Sequence, residues 1–251
     1  MTPISVQLYS LREASAIDFD EVLAALATIG YKGVEPFDLF GKSPTDFKQR
    51  VQELGMTISS SHYPWANRTD LNEVIDVLGE LGLTRAAGGF MPDDFKDLDA
   101  IKRTAEATQA IIDQLRPAGL DLFLHNHYWE FETVDGRPAY HTFQELVPDV
   151  QFEIDTYWAA NFGACDPAAE VSRMKQRTPL LHIKDGPLQK GQANVVLGEG
   201  AMDIPGVIAA ADPDMLEWLI VEFDACESDM MTAVRDSYGY LTNRQLGEGN
   251  V

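Results

Sequence analysis

The chain alternates short apolar runs with longer amphipathic segments over almost its whole length. Apolar runs typical of buried strands occur eight times, at residues 4–10, 33–36, 57–62, 84–88, 121–127, 151–155, 180–184 and 218–223. Segments with the helical spacing of apolar residues lie between most of them, at residues 18–30, 69–82, 97–119, 167–176, 205–211 and 229–241. The fifth run differs, because the polar excursion ETVDGRPAY separates it from the helical segment HTFQELV.

Regular alternation of strands and helices predicts a parallel sheet, and eight such units in 251 residues match the usual size of a (β/α)₈ TIM barrel. A doubly wound open sheet is the alternative. It would normally carry a glycine-rich phosphate loop after the first strand, and LYSLREAS contains no glycine. No linker rich in proline, serine or glycine divides the chain, so we predict a single TIM-barrel domain over residues 1–251.

Composition narrows the classes of function. Forty acidic residues against nineteen basic ones give a net charge of −21, which repels nucleic-acid phosphates and anionic membranes. The two cysteines form no CxxC motif, the N-terminus lacks the pattern of a signal peptide, and no apolar run approaches the roughly eighteen residues of a membrane span. We therefore expect a cytoplasmic protein whose partner is a small molecule, with no nucleic acid and no membrane.

Acidic, basic and histidine side chains gather at the ends of the predicted strands, where TIM barrels carry their chemistry. In chain order they are Glu35, His62, His125, His127, Glu130, Glu153, Asp155, His182, Lys184, Asp185, Glu222 and Asp224. Residues two apart share one face of a strand, and in the last three strands the intervening positions are apolar. The polar side chains should therefore face the barrel axis, where converging carboxylates need a cation, most simply a divalent metal ion.

Several of these residues also have an ordinary structural interpretation. A single histidine at a strand end is commonly a hydrogen-bonded structural residue, and we assign His141 to the surface or to a helix start. Asp185 and Asp224 can be helix caps or loop anchors. Four strand ends that carry such residues on the inward face favour a metal site when they are taken together, although no short motif such as HExxH fixes it.

The motifs VQLYSLRE, GYKGVEPF, HNHYWEF, EIDTYWAANFGACDP, LLHIKD, LGEGAMDIPGVI and LIVEFD carry a family resemblance, in matching order from about residue 4 to about residue 240. Together they resemble the sugar phosphate isomerase/epimerase superfamily with a xylose isomerase-like TIM barrel, in the branch with HNHxxEF and DxYW. That superfamily includes ketose 3-epimerases, inosose dehydratase and enzymes that act on 3-keto-glycosides. The resemblance therefore implies the barrel and a sugar substrate, and leaves the reaction open among these.

The resemblance also implies one divalent metal ion, Mn²⁺, with Mg²⁺ or Co²⁺ as alternatives. Carried over by motif, the ligands are Glu130, Asp155, His182 and Glu222, and His127 competes with Glu130 for the place on the fifth strand. Three oxygens and one imidazole make a mostly hard site, which suits Mn²⁺ or Mg²⁺ better than structural Zn²⁺.

The chemistry implied by such a site is proton abstraction beside a carbonyl, through an enediolate. The predicted catalytic residues are Glu222, His127, Glu130 and Lys184. The predicted substrate contacts are Glu35, His62, His125, Trp158 and Lys184. Two alternatives stay open here: Glu35 and His62 can instead orient the metal ligands, and Lys184 can form a salt bridge with Asp155 or Glu153.

The leading hypothesis is a metal-dependent isomerase or epimerase of a keto-sugar. The second is a lyase or hydratase of a 3-keto-sugar or 3-keto-glycoside. An endonuclease IV-like nuclease shares the barrel, but it needs more histidines than the five present and a basic groove. A non-catalytic sugar-binding module is the remaining class. A homo-oligomer with its interface on the outer helices would fit the relatives.

Overall fold

Eight parallel strands form one curled sheet in the computed structural model, which describes residues 1–250. They are β1 (Ile4–Gln7), β2 (Gly33–Glu35), β3 (Thr57–Ile58), β4 (Arg85–Gly88), β5 (Asp121–His125), β6 (Gln151–Asp155), β7 (Leu180–Ile183) and β8 (Trp218–Val221). Neighbours pair in the order β3-β2-β1-β8-β7-β6-β5-β4. The predicted (β/α)₈ barrel is confirmed.

The curl of the sheet brings distant strands together across the barrel axis. His182 of β7 contacts Glu35 of β2, and His62, just after β3, contacts Glu153 of β6. The seam lies between β3 and β4, where the backbone N–H of Ala66 donates to the carbonyl of Ala87 at 2.8 Å.

Ten α-helices lie between and after these strands in residues 1–250. They are α1 (Arg12–Ile17), α2 (Phe19–Ile29), α3 (Pro44–Glu53), α4 (Leu71–Leu81), α5 (Leu98–Leu115), α6 (Ala139–Leu146), α7 (Thr156–Ala159), α8 (Pro167–Met174), α9 (Ile204–Ala209) and α10 (Met230–Asn243). The polar excursion after β5 folds into a small hairpin of Thr133–Val134 with Arg137–Pro138. Among the described residues, no helix is both long and apolar enough to cross a membrane.

Local signals place several helix ends. The side chain of Asp18 accepts a hydrogen bond from the backbone of Glu21 at the start of α2, and Gly30 ends that helix with a left-handed φ of 112°, as its predicted cap position requires. The helix α3 is an addition to the predicted set. Only Phe47 and Val51 of its ten residues are buried, so its apolar stripe is too narrow to stand out from the sequence.

Most strands are shorter than the apolar runs predict, because the runs continue past the hydrogen-bonded ladder into the loops of the barrel mouth. β3 is the clearest case, with two residues in place of six. The chain after it still follows β2, since the N–H of Ser59 donates to Val34 and that of His62 donates to Pro36. The polar strand ends therefore belong to the loops that carry the site.

The barrel wall separates two apolar clusters. The larger one fills the space between the sheet and the helices. The smaller one lies inside the barrel and consists of Ala87, Phe123, Leu180 and Ile220. Two residues further along β5, β7 and β8, on the same strand face, stand His125, His182 and Glu222. The inner cluster therefore forms an apolar floor, and the polar residues lie directly above it.

Candidate metal and active site

His182 is the centre of the polar cluster above this floor. Its Nδ1 lies 2.7 Å from Oε2 of Glu222, and its Nε2 lies 2.8 Å from Oε1 of Glu35 and 3.2 Å from Oε2 of Glu153. Burial lowers the pKa of His182, but the attraction of these three carboxylates outweighs burial and holds the pKa well above its usual value. The imidazolium therefore donates from both nitrogens.

Lys184 brings three carboxylates together one layer higher. Its Nζ lies 2.8 Å from Oδ2 of Asp155, from Oε2 of Glu222 and from Oδ2 of Asp224. Burial raises the pKa of Glu222, but Lys184 and His182 outweigh it and keep that pKa well below the usual range. Burial raises the pKa of Asp155 to about 6 in spite of the lysine. The Asp155 carboxylate also caps α7, since its Oδ1 accepts from the N–H of Trp158.

Glu153 connects two further histidines. Its Oε2 lies 2.5 Å from Nε2 of His62 and 3.1 Å from Nδ1 of His125. Its other oxygen, Oε1, is buried and has no hydrogen-bond partner among the described residues. Burial lowers the pKa of His125 to about 4, so this imidazole is neutral at neutral pH and can act as a metal ligand.

The donor atoms of this cluster fit a divalent metal ion. His125, Asp155, His182 and Glu222 each offer an atom within 4.8 Å of all the others, and the same holds for the set of His62, His125, Glu153 and His182. Ligands about 2.1 Å from one ion lie at most about 4.2 Å apart, so a small adjustment brings either set around an ion. The orphaned oxygen of Glu153 and the excess of carboxylates both favour a cation here.

The structure places Glu130 differently from its predicted role as the metal ligand of the fifth strand. Its carboxylate Oε2 accepts the backbone N–H of His127 at 2.9 Å, and neither metal-binding set contains it. The reason is local: β5 ends at His125, and residues Trp129–Phe131 form a 3₁₀ turn that folds position 130 back onto position 127. His125 occupies the position near Asp155, His182 and Glu222 that the family motif predicts for Glu130.

His127 and Glu130 are nevertheless buried and strongly perturbed. The ring of His127 stacks on Trp129 with centroids 4.1 Å apart, and its Nδ1 has no hydrogen-bond partner among the described residues. Burial raises the pKa of Glu130 to about 8 and lowers that of His127 to about 2. At neutral pH, Glu130 is therefore a protonated carboxylic acid and His127 a neutral imidazole.

Two of the predicted sugar contacts are buried and hydrogen-bonded within the cluster. Glu35 is fully buried, and it accepts hydrogen bonds from Gln7 at 2.6 Å and from the hydroxyl of Ser60. His62 is also buried and is bonded to Glu153. The structure supports the other predicted alternative, in which both residues orient neighbouring groups of the cluster.

Trp158 lies at the edge of the cluster, beside the buried Lys184. Trp158 is partly exposed, and the Nζ of Lys184 lies 5.4 Å from its ring centroid. Lys184 forms a salt bridge with Asp155, one of the two partners predicted for it. Its place at the upper edge of the cluster also leaves it next to any ligand that rests on Trp158.

Asp185 and His141 have the structural roles that we considered for them. Asp185 is a loop anchor: its carboxylate accepts backbone N–H groups from Gly186, Gly198, Gly200 and Met202. His141 lies in α6, away from the barrel mouth, with its Nε2 2.6 Å from Glu170 of α8. Asp224 contributes instead to the cluster, through Lys184.

Two positioning residues escape the sequence analysis. Gln7 donates a side-chain hydrogen bond to Glu35. The sequence does contain a hint of this role, because Gln7 is a polar residue two positions after Ser5, on the same inward face of a buried strand. Asn126 joins the ends of β5 and β6: its Oδ1 accepts the N–H of Asp155 at 3.0 Å, and its Nδ2 donates to the carbonyl of the same residue at 3.1 Å. Nothing in the sequence alone places Asn126 beside Asp155.

Comparison with known proteins assigns the family. A family model described as the xylose isomerase-like TIM barrel matches residues 23–243. The chain belongs to this family. No curated protein matches the sequence.

Solved structures share the barrel over almost the whole chain. A sugar phosphate isomerase/epimerase from Parabacteroides distasonis is 24% identical with a TM-score of 0.83, covering 98% of this chain and 96% of its own. An L-ribulose 3-epimerase is 18% identical with a TM-score of 0.71, covering 97% and 94%. The probable 3-DHS dehydratase AsbF from Bacillus anthracis is 13% identical with a TM-score of 0.73, covering 96% and 99%. At these identities the likeness shows the xylose isomerase-like fold, which hosts more than one reaction.

Proposed function

We propose that this protein is a metal-dependent isomerase or epimerase that moves a proton beside the carbonyl group of a keto-sugar. The observation that carries the proposal is the convergence of His125, Asp155, His182 and Glu222 above the barrel floor. These residues would hold the ion, for which we expect Mn²⁺, with Mg²⁺ or Co²⁺ as alternatives. When bound, the ion supplies positive charge that polarises a carbonyl and stabilises negative charge on its oxygen.

Glu222 is the base in this proposal. Its pKa is kept low by Lys184 and His182, so it is ionised and ready to accept a proton at neutral pH. The same contacts make it a weak base until a substrate arrives. If the ammonium of Lys184 turns from Glu222 to a substrate oxygen, the carboxylate loses one of its two cations and becomes more basic. Binding of the correct substrate would thus strengthen the base.

In this proposal, residues on the β5 side act on the face of the substrate opposite Glu222. Epimerisation requires one group to remove the proton from one face and another group to return a proton to the other face. Glu130, protonated at neutral pH, can donate a proton, and the neighbouring His127 has a free buried Nδ1. Trp158 and Lys184 would hold the sugar between these two sides. The net charge of −21 supports a small neutral sugar, and not a nucleic acid, as the partner.

A lyase that acts on a 3-keto-sugar or 3-keto-glycoside is the second candidate, and the state of Glu130 favours it. Elimination needs an acid that protonates the departing oxygen, and a buried carboxyl with a pKa of about 8 carries that proton at neutral pH. The shared first step, removal of the proton next to the carbonyl, is the same in both candidates. They differ in whether Glu130 returns its proton to carbon or to a leaving oxygen.

Hydrogen exchange with solvent tests the shared step. The Mn²⁺-loaded protein is incubated in D₂O with D-fructose, L-ribulose and a 3-keto-glucoside, and deuterium next to the carbonyl is measured by NMR. Glu222→Gln should lower exchange and turnover by roughly 10²–10⁴-fold, because the amide keeps the size of the side chain and removes the base. The matched control is Glu170→Gln, which changes another buried glutamate bonded to a histidine. Metal content is measured in the same samples.

The products separate the two candidates. A deuterated epimer or isomer supports the first, and an unsaturated or eliminated product supports the second. A shielded base can return the same proton, so turnover without exchange is followed up with a substrate deuterated next to the carbonyl. Turnover with full retention of that deuterium at its original carbon would contradict proton transfer as the mechanism.

A further inference from the structure

A strained turn lies beside the candidate site, between α7 and α8. Three consecutive residues adopt left-handed backbone conformations: Asn161 at φ 41°, Phe162 at φ 54° and Gly163 at φ 90°. Asparagine and glycine reach this region readily, but an aromatic residue does not. The side chain of Asn161 stabilises the turn by donating to the carbonyl of Phe131 at 3.1 Å. Strained backbone of this kind tends to accumulate at functional sites.

The turn directs the ring of Phe162 against two other aromatic rings, and we call the three together the aromatic wall: Tyr128, Trp158 and Phe162. Ring centroids are 5.0 Å apart for Tyr128 and Phe162, 5.8 Å for Tyr128 and Trp158, and 6.0 Å for Trp158 and Phe162. All three residues are partly exposed. Tyr128 and Phe162 belong to neither apolar cluster of the protein, so core packing does not account for them.

The aromatic wall is continuous with the candidate site. Tyr128 follows His127 directly, and Trp158 donates its backbone N–H to Asp155. The Nζ of Lys184 lies 5.4 Å from the ring centroid of Trp158, so Trp158 borders the polar cluster. The rings of Tyr128 and Phe162 pack against Trp158, and of the three rings it is Trp158 that faces Lys184. A ligand that contacts Lys184 with one ring would therefore reach the outer part of the wall with a second ring.

An exposed lysine covers the outer part of the wall. The Nζ of Lys190, in the loop between β7 and α9, lies 4.7 Å above the ring of Tyr128 and 5.9 Å from that of Phe162. Such a contact is weak at an exposed position, so a ligand can displace it. Tyr128 and Phe162 also face other aromatic rings, and a surface formed by aromatic rings suits the apolar C–H face of a sugar ring.

We propose that the aromatic wall binds the second ring of a two-ring substrate, so that the enzyme prefers a glycoside to a free monosaccharide. The first ring would lie over Lys184 and the metal-binding set, and the ring attached through its glycosidic oxygen would stack on Tyr128 and Phe162. The inference rests on the proposed function only for the place of the first ring. The left-handed backbone at Phe162 is a cost that glycine or asparagine would avoid, and stacking on a ligand ring would offset it.

Equilibrium binding of matched one-ring and two-ring sugars tests the inference. The probes are the methyl and phenyl β-glycosides of D-glucose, D-galactose and D-mannose, titrated by calorimetry into the full-length protein with Mn²⁺. At least one phenyl glycoside should bind about tenfold more tightly than its methyl partner, the size of one favourable aromatic contact. Phe162→Asn should abolish this preference in a folded protein, because asparagine accepts the left-handed backbone. A thermal melt confirms that the variant is folded.

Phe40→Ala is the matched control. Phe40 is also a partly exposed phenylalanine with a left-handed φ, at 52°, and it follows β2, which lies four places from β6 in the barrel. This variant should keep the preference. The proposal is overturned if no pair shows a preference, if the preference survives Phe162→Asn, or if Phe40→Ala removes it equally.

An anion site is the competing outcome. Tighter binding of D-glucose 6-phosphate than of D-glucose, lost in Lys190→Met, would also overturn the proposal, because it would assign the outer site to a phosphate. Binding is measured without turnover, so these results are independent of the deuterium exchange that tests the proposed reaction. A protein that exchanges no deuterium can still discriminate between the glycosides, and an active one can fail to do so.

Discussion

Replacement of Lys184 by methionine is the most direct probe of the cluster. The ammonium lies 2.8 Å from each of three carboxylates, and two of these, on Asp155 and Glu222, are buried. Methionine has a similar length and no charge, so it removes the cation that Asp155 and Glu222 share and leaves Glu222 paired with His182 alone. Removal of one partner from a buried ion pair costs about 3–5 kcal/mol of unfolding free energy. For a chain of this size that corresponds to a fall in Tm of about 6–20 °C.

Urea unfolding at neutral pH, with and without Mn²⁺, measures this effect. The matched control is Lys102→Met, which removes an exposed lysine whose Nζ lies 3.9 Å from Asp99, and should cost less than about 1 kcal/mol. Mn²⁺ should stabilise Lys184→Met more than the wild type, because the ion no longer competes with the ammonium for Asp155 and Glu222. A loss in Lys184→Met as small as that of the control, or equal stabilisation of both proteins by Mn²⁺, would refute this account of the carboxylates.

Two further predictions concern the metal and one buried acid. After dialysis against Mn²⁺ the wild type should retain about one ion per chain, and the double variant Asp155→Ala/His182→Ala should retain none. The variant His62→Gln should still retain the ion if the ligands are His125, Asp155, His182 and Glu222. Metal analysis that finds the ion in the double variant would exclude that ligand set. Burial raises the pKa of Glu130 to about 8, so the folded protein binds this proton more tightly than the unfolded chain does. The free energy of unfolding should therefore decline between about pH 4.5 and 8. The variant Glu130→Gln mimics the protonated acid, so it should lack the part of this decline that Glu130 causes. Urea unfolding of both proteins at about pH 4.5 and at about pH 8 measures the difference.

Periodicity made the barrel predictable, since each strand and most helices carry their own local signal. The alternate polar positions of the later strands also predict which side chains share a face, and His182 and Glu222 do meet above the barrel floor. Caps such as Asp18 and Gly30 depend on neighbours within four residues, so they too can be read from the sequence. Local information was sufficient for all of these.

Features that depend on distant partners could not be predicted in the same way. The role of Glu130 depends on where β5 ends and on a 3₁₀ turn, and both are decided by packing. The sequence alone suggests that Glu35 is an accessible carboxylate at a strand end. In the fold it is buried, because Gln7 of the neighbouring strand and Ser60 of the neighbouring loop donate hydrogen bonds to it. The short strand β3 ends at Ile58, where the polar residues 59–62 begin and only isolated hydrogen bonds continue along β2.

Charge balance explains why such a cluster is stable inside a barrel and how it would respond to an ion. Its carboxylates are Glu35, Glu153, Asp155, Glu222 and Asp224, and its cations are Lys184, His182 and His62. Three cations against five carboxylates leave two negative charges, an excess that favours a divalent ion. Burial raises the pKa of Asp155 to about 6 and also raises that of Glu35, so in the protein without an ion both carboxylates bind protons more readily than they would in water. Metal and protons would therefore compete for the same carboxylates, and His182 would have to lose a proton from one of its two hydrogen-bonded ring nitrogens in order to hold an ion.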